Sequence, residues 1–116
     1  MKRILIFDDD TDILDILTYL LQEKGWDVYT RTTCKNIKEI LDECQPDVIL
    51  MDNWIPEAGG IAATREIKAM EEYSSVPVVY FSANNDIEKL AEEAGADAWL
   101  AKPFNLDDLE VLLSKY

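Results

Sequence analysis

The sequence predicts an α/β fold: a five-stranded parallel sheet of order 2-1-3-4-5, doubly wound by five helices as a single domain over residues 1–116. Two observations predict the class. Four short apolar runs, Ile4–Phe7, Val48–Met51, Val76–Phe81 and Ala98–Ala101, and a fifth strand-like segment, Trp26–Thr30, alternate with stretches whose apolar residues recur at helical spacing. Short loops join them with no linker or low-complexity tract, and such alternation implies parallel strands connected by right-handed crossovers. A third observation selects the strand order. Asp8, Asp9 and Asp52 follow the first and third runs, and they converge only where strands 1 and 3 are neighbours, as in the flavodoxin-like order.

Each element has a local justification. Ile4-Leu5-Ile6-Phe7 is a continuous apolar run, expected of a strand covered on both faces. Ile13, Leu14, Ile16, Leu17, Leu20 and Leu21 mark the first helix, with Gly25 as its C-cap. After the second strand, Ile37, Ile40 and Leu41 mark a helix that closes before Pro46. Val48 to Met51 forms the third strand, and a loop with Pro56, Gly59 and Gly60 leads to a helix carrying Ile61, Ile67 and Met70. In the fourth strand Pro77 sits near the start, where a missing donor does least harm. Asn84 or Asn85 caps the fourth helix, which carries Ile87, Leu90 and Ala94 and stops at Gly95. Asn105 caps the last helix, with Asp107 and Asp108 in its first turn and Leu106, Leu109, Leu112 and Leu113 inward.

Composition narrows the function classes. The 116 residues suffice for one domain with its own core. No apolar run approaches the roughly 20 residues needed to span a bilayer, and the start lacks the apolar core and cleavage site of a signal peptide. Cys34 and Cys44 do not make a disulfide framework, so a cytoplasmic, reduced protein without membrane attachment is expected. With 24 acids against 11 bases the net charge is −13, which argues against direct nucleic-acid binding. Asp8, Asp9, Asp10 and Asp12 concentrate the self-repulsion. Asp10 and Asp12 read as a solvated helix start; Asp8 and Asp9, abutting a buried-type strand, read as functional.

Residues just past the carboxyl ends of parallel strands face one edge, where ligands bind. Asp8-Asp9, Asp52, Ser82 and Lys102 occupy such positions on four strands, and together they suit a divalent cation and a phosphoryl group. Magnesium takes oxygen ligands and is usually held by one or two carboxylates plus a phosphate. Asp9 and Asp52 supply direct ligands, Asp8 one through water, and the backbone carbonyl of Trp54 a neutral ligand. Without a cation, carboxylates this close repel, and at least one is expected to have a raised pKa. A carboxylate can act as nucleophile and form an acyl phosphate. Lys102 then pairs with one phosphoryl oxygen and the Ser82 hydroxyl bonds another.

The segments ILIFDDD, PDVILMDNWIP, VPVVYFSA and GADAWLAKPF resemble those of the receiver domains of two-component response regulators, over essentially the whole chain. The resemblance implies that Asp52 accepts a phosphoryl group from a phosphohistidine on a partner histidine kinase or phosphotransfer protein. It implies that Asp8 and Asp9 organise Mg2+ (or Mn2+), that Lys102 contacts the phosphoryl group, and that the Lys102–Pro103 bond is cis. Ser82 corresponds to the hydroxyl residue that reorients toward the phosphate, and Trp99 to the aromatic that turns inward on activation. The chain has no histidine, so the donor is another protein. Three positions depart from the commoner pattern. Trp99 stands where Tyr or Phe is usual and has an indole N–H to satisfy; Ser82 replaces Thr and lacks the methyl that restricts χ1; Trp54 is bulky, and is expected to shield the acyl phosphate from water.

The resemblance further implies a switching surface on the fourth helix, fifth strand and fifth helix, which binds a downstream protein or a second receiver. Glu88, Glu92 and Glu93, with Lys89 among them, would tune partner choice and on-rate there. The chain is expected not to be an enzyme beyond catalysing its own phosphorylation and dephosphorylation. Phosphohydrolases with a nucleophilic Asp resemble one another in a second Asp two residues on, where this chain has Trp54. A flavin phosphate would be repelled by Asp8-Asp9-Asp10. A stand-alone receiver is expected rather than part of a longer regulator.

Overall fold

Each strand of the chain is followed by a helix. The computed structural model describes residues 2–55 and 59–116. In chain order the elements are β1 (Arg3–Phe7), α1 (Thr11–Glu23), β2 (Asp27–Arg31), α2 (Ile37–Cys44), β3 (Val48–Asp52), α3 (Gly60–Ala69), β4 (Val78–Ser82), α4 (Ile87–Ala94), β5 (Ala98–Ala101) and α5 (Leu106–Leu113). All strand pairs are parallel and the sheet order is β2-β1-β3-β4-β5, as the convergence of acids required.

Side chains alternate across the pleat and divide the core into two layers. Leu5, Phe7, Ile49, Met51, Val78 and Tyr80 pack with residues of α2, α3 and α4. Ile4, Ile6, Val48, Leu50, Val79 and Phe81 pack against Leu14, Leu17 and Leu21 of α1 and Leu109 and Leu113 of α5. The central strands β3 and β4 are buried at every position, while β2 and β5 are only partly covered. The apolar run of β5 therefore marks an edge strand, not one sandwiched on both faces.

Helix ends follow local chemistry. Asp10 caps α1, accepting from the Asp12 and Ile13 N–H groups at 3.0 and 3.4 Å, and Asn105 caps α5 by accepting from Asp108 N–H at 2.8 Å. Gly25 follows the last residue of the α1 cap with φ +92°, and Gly95 closes α4 with φ +81°, a conformation that glycine adopts without Cβ strain.

Some boundaries differ from expectation. Trp26 lies outside β2, because its N–H closes the α1 turn on Leu21 O at 3.0 Å. Pro77 and Val76 precede β4; Pro77 joins the sheet only as an acceptor, from Ile49 N–H at 2.9 Å. Neither Asn84 nor Asn85 caps α4. Asp86 is the residue before that helix, and Asn84 Oδ1 instead accepts from Asp86 N–H at 2.8 Å in the preceding turn. Ile16, expected on the apolar stripe of α1, is 59 % exposed, because it lies off the arc marked by Leu14, Leu17 and Leu21. Pro56 lies outside the described residues.

Candidate phosphoryl and metal site

The carboxyl edge of the sheet assembles the site. Asp8 directly follows β1, Asp52 and Ser82 are the last residues of β3 and β4, and Lys102 directly follows β5. Parallel pairing in register puts all four at one edge, a consequence of topology and not of sequence proximity. They line a cleft of about 320 Å³ together with Asp9 and Trp54.

Lys102 is the centre of the cluster. Its Nζ donates to Asp8 Oδ2 and to Asp52 Oδ1, each at 3.0 Å. Its ammonium also lies 4.5 Å from the Phe81 ring centroid, a cation–π contact. Phe104 meets Phe81 edge-on at 6.1 Å. The Lys102–Pro103 peptide bond is cis.

The remaining carboxylate oxygens are held by the backbone. Asp8 Oδ1 accepts from Asp10 N–H at 2.9 Å, and Asp52 Oδ2 accepts from Trp54 N–H at 3.2 Å. Asp8 and Asp52 are buried while Asp9 is exposed. The buried Ser82 hydroxyl oxygen accepts from Asn84 N–H at 3.1 Å. Trp54 also lines the cleft and is 75 % exposed. Trp99 pairs with Tyr80 in the sheet, is 43 % exposed and does not line the cleft.

Charge and burial oppose each other here. Burial pushes the Asp52 carboxyl above the usual carboxylate range; the Lys102 hydrogen bond pulls the other way, and the neighbouring Asp8 charge adds to the rise. The expected raised pKa is therefore present, with desolvation ahead of like-charge repulsion as its cause. For Lys102 burial lowers the pKa, but its hydrogen bonds to Asp8 and Asp52 outweigh that and the pKa is raised.

The donor set fits a hard cation. One ligand oxygen from each of Asp8, Asp9 and Asp52 can be chosen so that all lie within 4.8 Å of one another. An all-oxygen, partly exposed set of this kind suits Mg2+ or Mn2+ better than a thiophilic metal.

Two groups beside Asp52 carry no signal in the linear pattern. The Tyr80 hydroxyl donates to Asn53 Oδ1, and a β-carbon on Gly60 would lie 2.4 Å from the Asp52 carbonyl oxygen and 2.9 Å from the Tyr80 hydroxyl oxygen. Tyr80 reads only as one more apolar residue of a strand, and Asn53 as a turn residue. The Phe81 contact to Lys102 is equally invisible before folding, since 21 residues separate them in the sequence.

A family model described as the response regulator receiver domain matches residues 4–114. Among solved structures, the chain is similar to the receiver domain of a sensor histidine kinase from Pseudomonas aeruginosa, at 29 % identity and TM-score 0.89, covering 99 % of this chain and 96 % of that one. That structure has a magnesium ion coordinated in its active-site cleft. It is also similar to a chemotaxis response regulator of Vibrio cholerae, at 26 % identity and TM-score 0.90, covering 99 % and 98 %. A third is the signal receiver domain of a signal transduction histidine kinase from Syntrophus aciditrophicus, at 25 % identity and TM-score 0.90, covering 99 % and 89 %.

Proposed function

This chain belongs to the response regulator receiver-domain family, and on that premise we propose that Asp52 is a phosphoacceptor whose phosphorylation controls protein binding. The observation that carries the reading is the Lys102 ammonium held 3.0 Å from both Asp8 and Asp52, beside the exposed Asp9 carboxylate.

In the proposed reaction, an Asp52 carboxylate oxygen attacks the phosphorus of a phosphohistidine on a partner histidine kinase or phosphotransfer protein. The P–O bond forms, the P–N bond breaks, and its electron pair returns to the imidazole nitrogen. Asp8, Asp9, Asp52 and the Trp54 carbonyl are the groups that would hold Mg2+, which when bound neutralises charge on the phosphoryl oxygens. Lys102 is already in place to pair with another of those oxygens. Trp54 N–H and Lys102 orient the Asp52 carboxylate, so less reorganisation precedes attack. The chain catalyses only its own phosphorylation and dephosphorylation.

The switch begins at Ser82. Its oxygen accepts from Asn84 N–H, a bond it gives up on turning toward the phosphoryl group. Trp99, exposed on β5, then moves inward. The two arrangements of α4, β5 and α5 differ in the surface they offer a downstream protein or a second receiver, so phosphorylation shifts the population between them. Exposed Glu88, Glu92 and Glu93 on α4 favour a basic partner face. Among the described residues no helix is long and apolar enough to cross a membrane, and we place the protein in the cytoplasm, acting without direct contact with nucleic acid.

Intrinsic tryptophan fluorescence tests this. The emission is expected to respond to Mg2+ and then to acetyl phosphate or beryllofluoride. Asp52→Asn is expected to abolish the second response with far-UV circular dichroism unchanged. Silence of the unaltered chain toward both acetyl phosphate and beryllofluoride overturns the reading.

A further inference from the structure

Asn53, the residue after the acceptor, is fastened in three directions. Its N–H donates to Phe81 O of β4 at 3.3 Å, and its carbonyl accepts from Gly60 N–H of α3 at 3.0 Å. Its side-chain Oδ1 accepts from the Tyr80 hydroxyl. Tyr80 is fully buried in the layer covered by α3 and α4. Burial, with smaller contributions from the Asp52 and Glu93 charges, pushes its hydroxyl up to about 12, so the donor proton is kept throughout the neutral range.

The surroundings leave this bond little freedom. The Tyr80 ring fills core, and α3 approaches so closely that only a residue without a β-carbon fits at Gly60. The same short segment carries Trp54, whose N–H holds Asp52 Oδ2 at 3.2 Å. The peptide plane after Asn53 carries the Trp54 N–H, so displacing the Asn53 side chain disturbs the bond that holds Asp52 Oδ2, and the Trp54 carbonyl, a candidate metal ligand, lies one peptide further along the same segment.

We propose that Tyr80 and Asn53 are a positioning pair: the buried hydroxyl locks the Asn53 amide, and the locked segment aims the Asp52 carboxylate and Trp54 backbone into the cleft. This rests on the phosphoacceptor reading. Neither side chain lines the cleft, so the pair acts through Asp52 and Trp54. Ser82 lies two positions beyond Tyr80 on the same face of β4, so the pair ties the acceptor segment to the strand that carries the proposed switch.

Tyr80→Phe removes one hydroxyl and keeps the ring, and Asn53→Ala removes the hydrogen-bond acceptor from the half-buried end of the contact. In the full chain, magnesium affinity is measured by calorimetry, and phosphorylation by acetyl phosphate is followed at limiting and saturating Mg2+. Each single variant is expected to raise the magnesium dissociation constant about three- to tenfold, the loss of one well-made hydrogen bond. The phosphorylation rate falls mainly at limiting Mg2+. The double variant is expected to be no weaker than the worse single one, because the two groups act as a unit. A purely structural pair would lower the melting temperature and leave the magnesium constant unchanged; that result in either single variant, beside a responsive unaltered chain, overturns this inference alone. Independent effects that multiply in the double variant overturn it as well. An unaltered chain that neither binds Mg2+ nor accepts a phosphoryl group removes the parent reading and the pair together.

Discussion

Lys102 crosses 94 residues of sequence to place its ammonium 3.0 Å from Asp8, whose side chain is only 1 % exposed. The same nitrogen serves Asp52, so one cation compensates two buried anions. Breaking a buried pair from one side leaves an uncompensated charge and typically costs about 3–5 kcal/mol. Lys102→Met keeps most of the aliphatic stem and removes the cation. In magnesium-free buffer it is expected to lower unfolding free energy by about 3 kcal/mol, with added Mg2+ restoring part of the loss, as urea titrations would record. Phosphorylation by acetyl phosphate is expected to slow about a hundredfold, the usual effect of deleting one charge-stabilising donor.

Asp52 makes a distinct contribution to the pH dependence of the metal-free protein. Burial raises its folded-state pKa above the ordinary value, and the Lys102 bond only partly offsets this. The folded chain then binds more protons than the unfolded chain between the two pKa values. Stability contributed by this group is full below about pH 4, the unfolded value, and declines as pH rises through the folded one. The Asp52→Asn variant lacks that decline, so its urea midpoint relative to the unaltered chain rises with pH across the window. Saturating Mg2+ reverses the decline by favouring the ionised carboxylate. A difference that shrinks with pH contradicts the assignment.

Gly60 marks a contact that no side chain can enter. Its missing β-carbon would sit 2.4 Å from the Asp52 carbonyl oxygen, 2.9 Å from the Tyr80 hydroxyl and 3.0 Å from Asn53 Cα. Alanine ordinarily favours a helix over glycine, yet here Gly60→Ala forces backbone apart. A loss of about 1–3 kcal/mol is expected, together with weaker Mg2+ binding because the displaced backbone is that of Asp52 and Asn53. Equal or greater stability on thermal unfolding would mean that α3 moves away freely.

Trp54 lines the cleft and is 75 % exposed. Trp54→Ala is therefore expected to change stability by no more than about 0.5 kcal/mol. If the indole shields the acyl phosphate, the half-life of the phosphorylated chain shortens several-fold, measured as phosphate release after removal of the donor. An unchanged half-life leaves the side chain without that role.

Much of this site was visible before folding because each participant sits at an element boundary. An apolar run ending in acids, or in Asp-Asn, or in Ser-Ala, is a local pattern, and the alternation of strands and helices carries those ends to one edge. Element boundaries answer to a different rule. Trp26 and Pro77 adjoin strand-like runs, but the Trp26 N–H is committed to closing α1, and Pro77, with no N–H to donate, only accepts from β3. Asn84 has the chemistry of a helix cap, yet its side-chain oxygen serves Asp86, the residue before the helix, and not an N–H of the first turn. Propensity describes what a residue can do, and the competing hydrogen bond decides what it does.

The linear order of residues determined the parallel topology and the set of groups brought to the carboxyl edge, because periodicity and strand-end chemistry are written along the chain. Folding alone decided that Lys102 divides itself between Asp8 and Asp52, that desolvation outweighs repulsion at Asp52, and that Tyr80 grips Asn53 beneath α3. Those outcomes depend on distances of a few ångströms between segments far apart in sequence, where burial and Coulomb terms of similar size oppose each other. Only a packed interior fixes such distances.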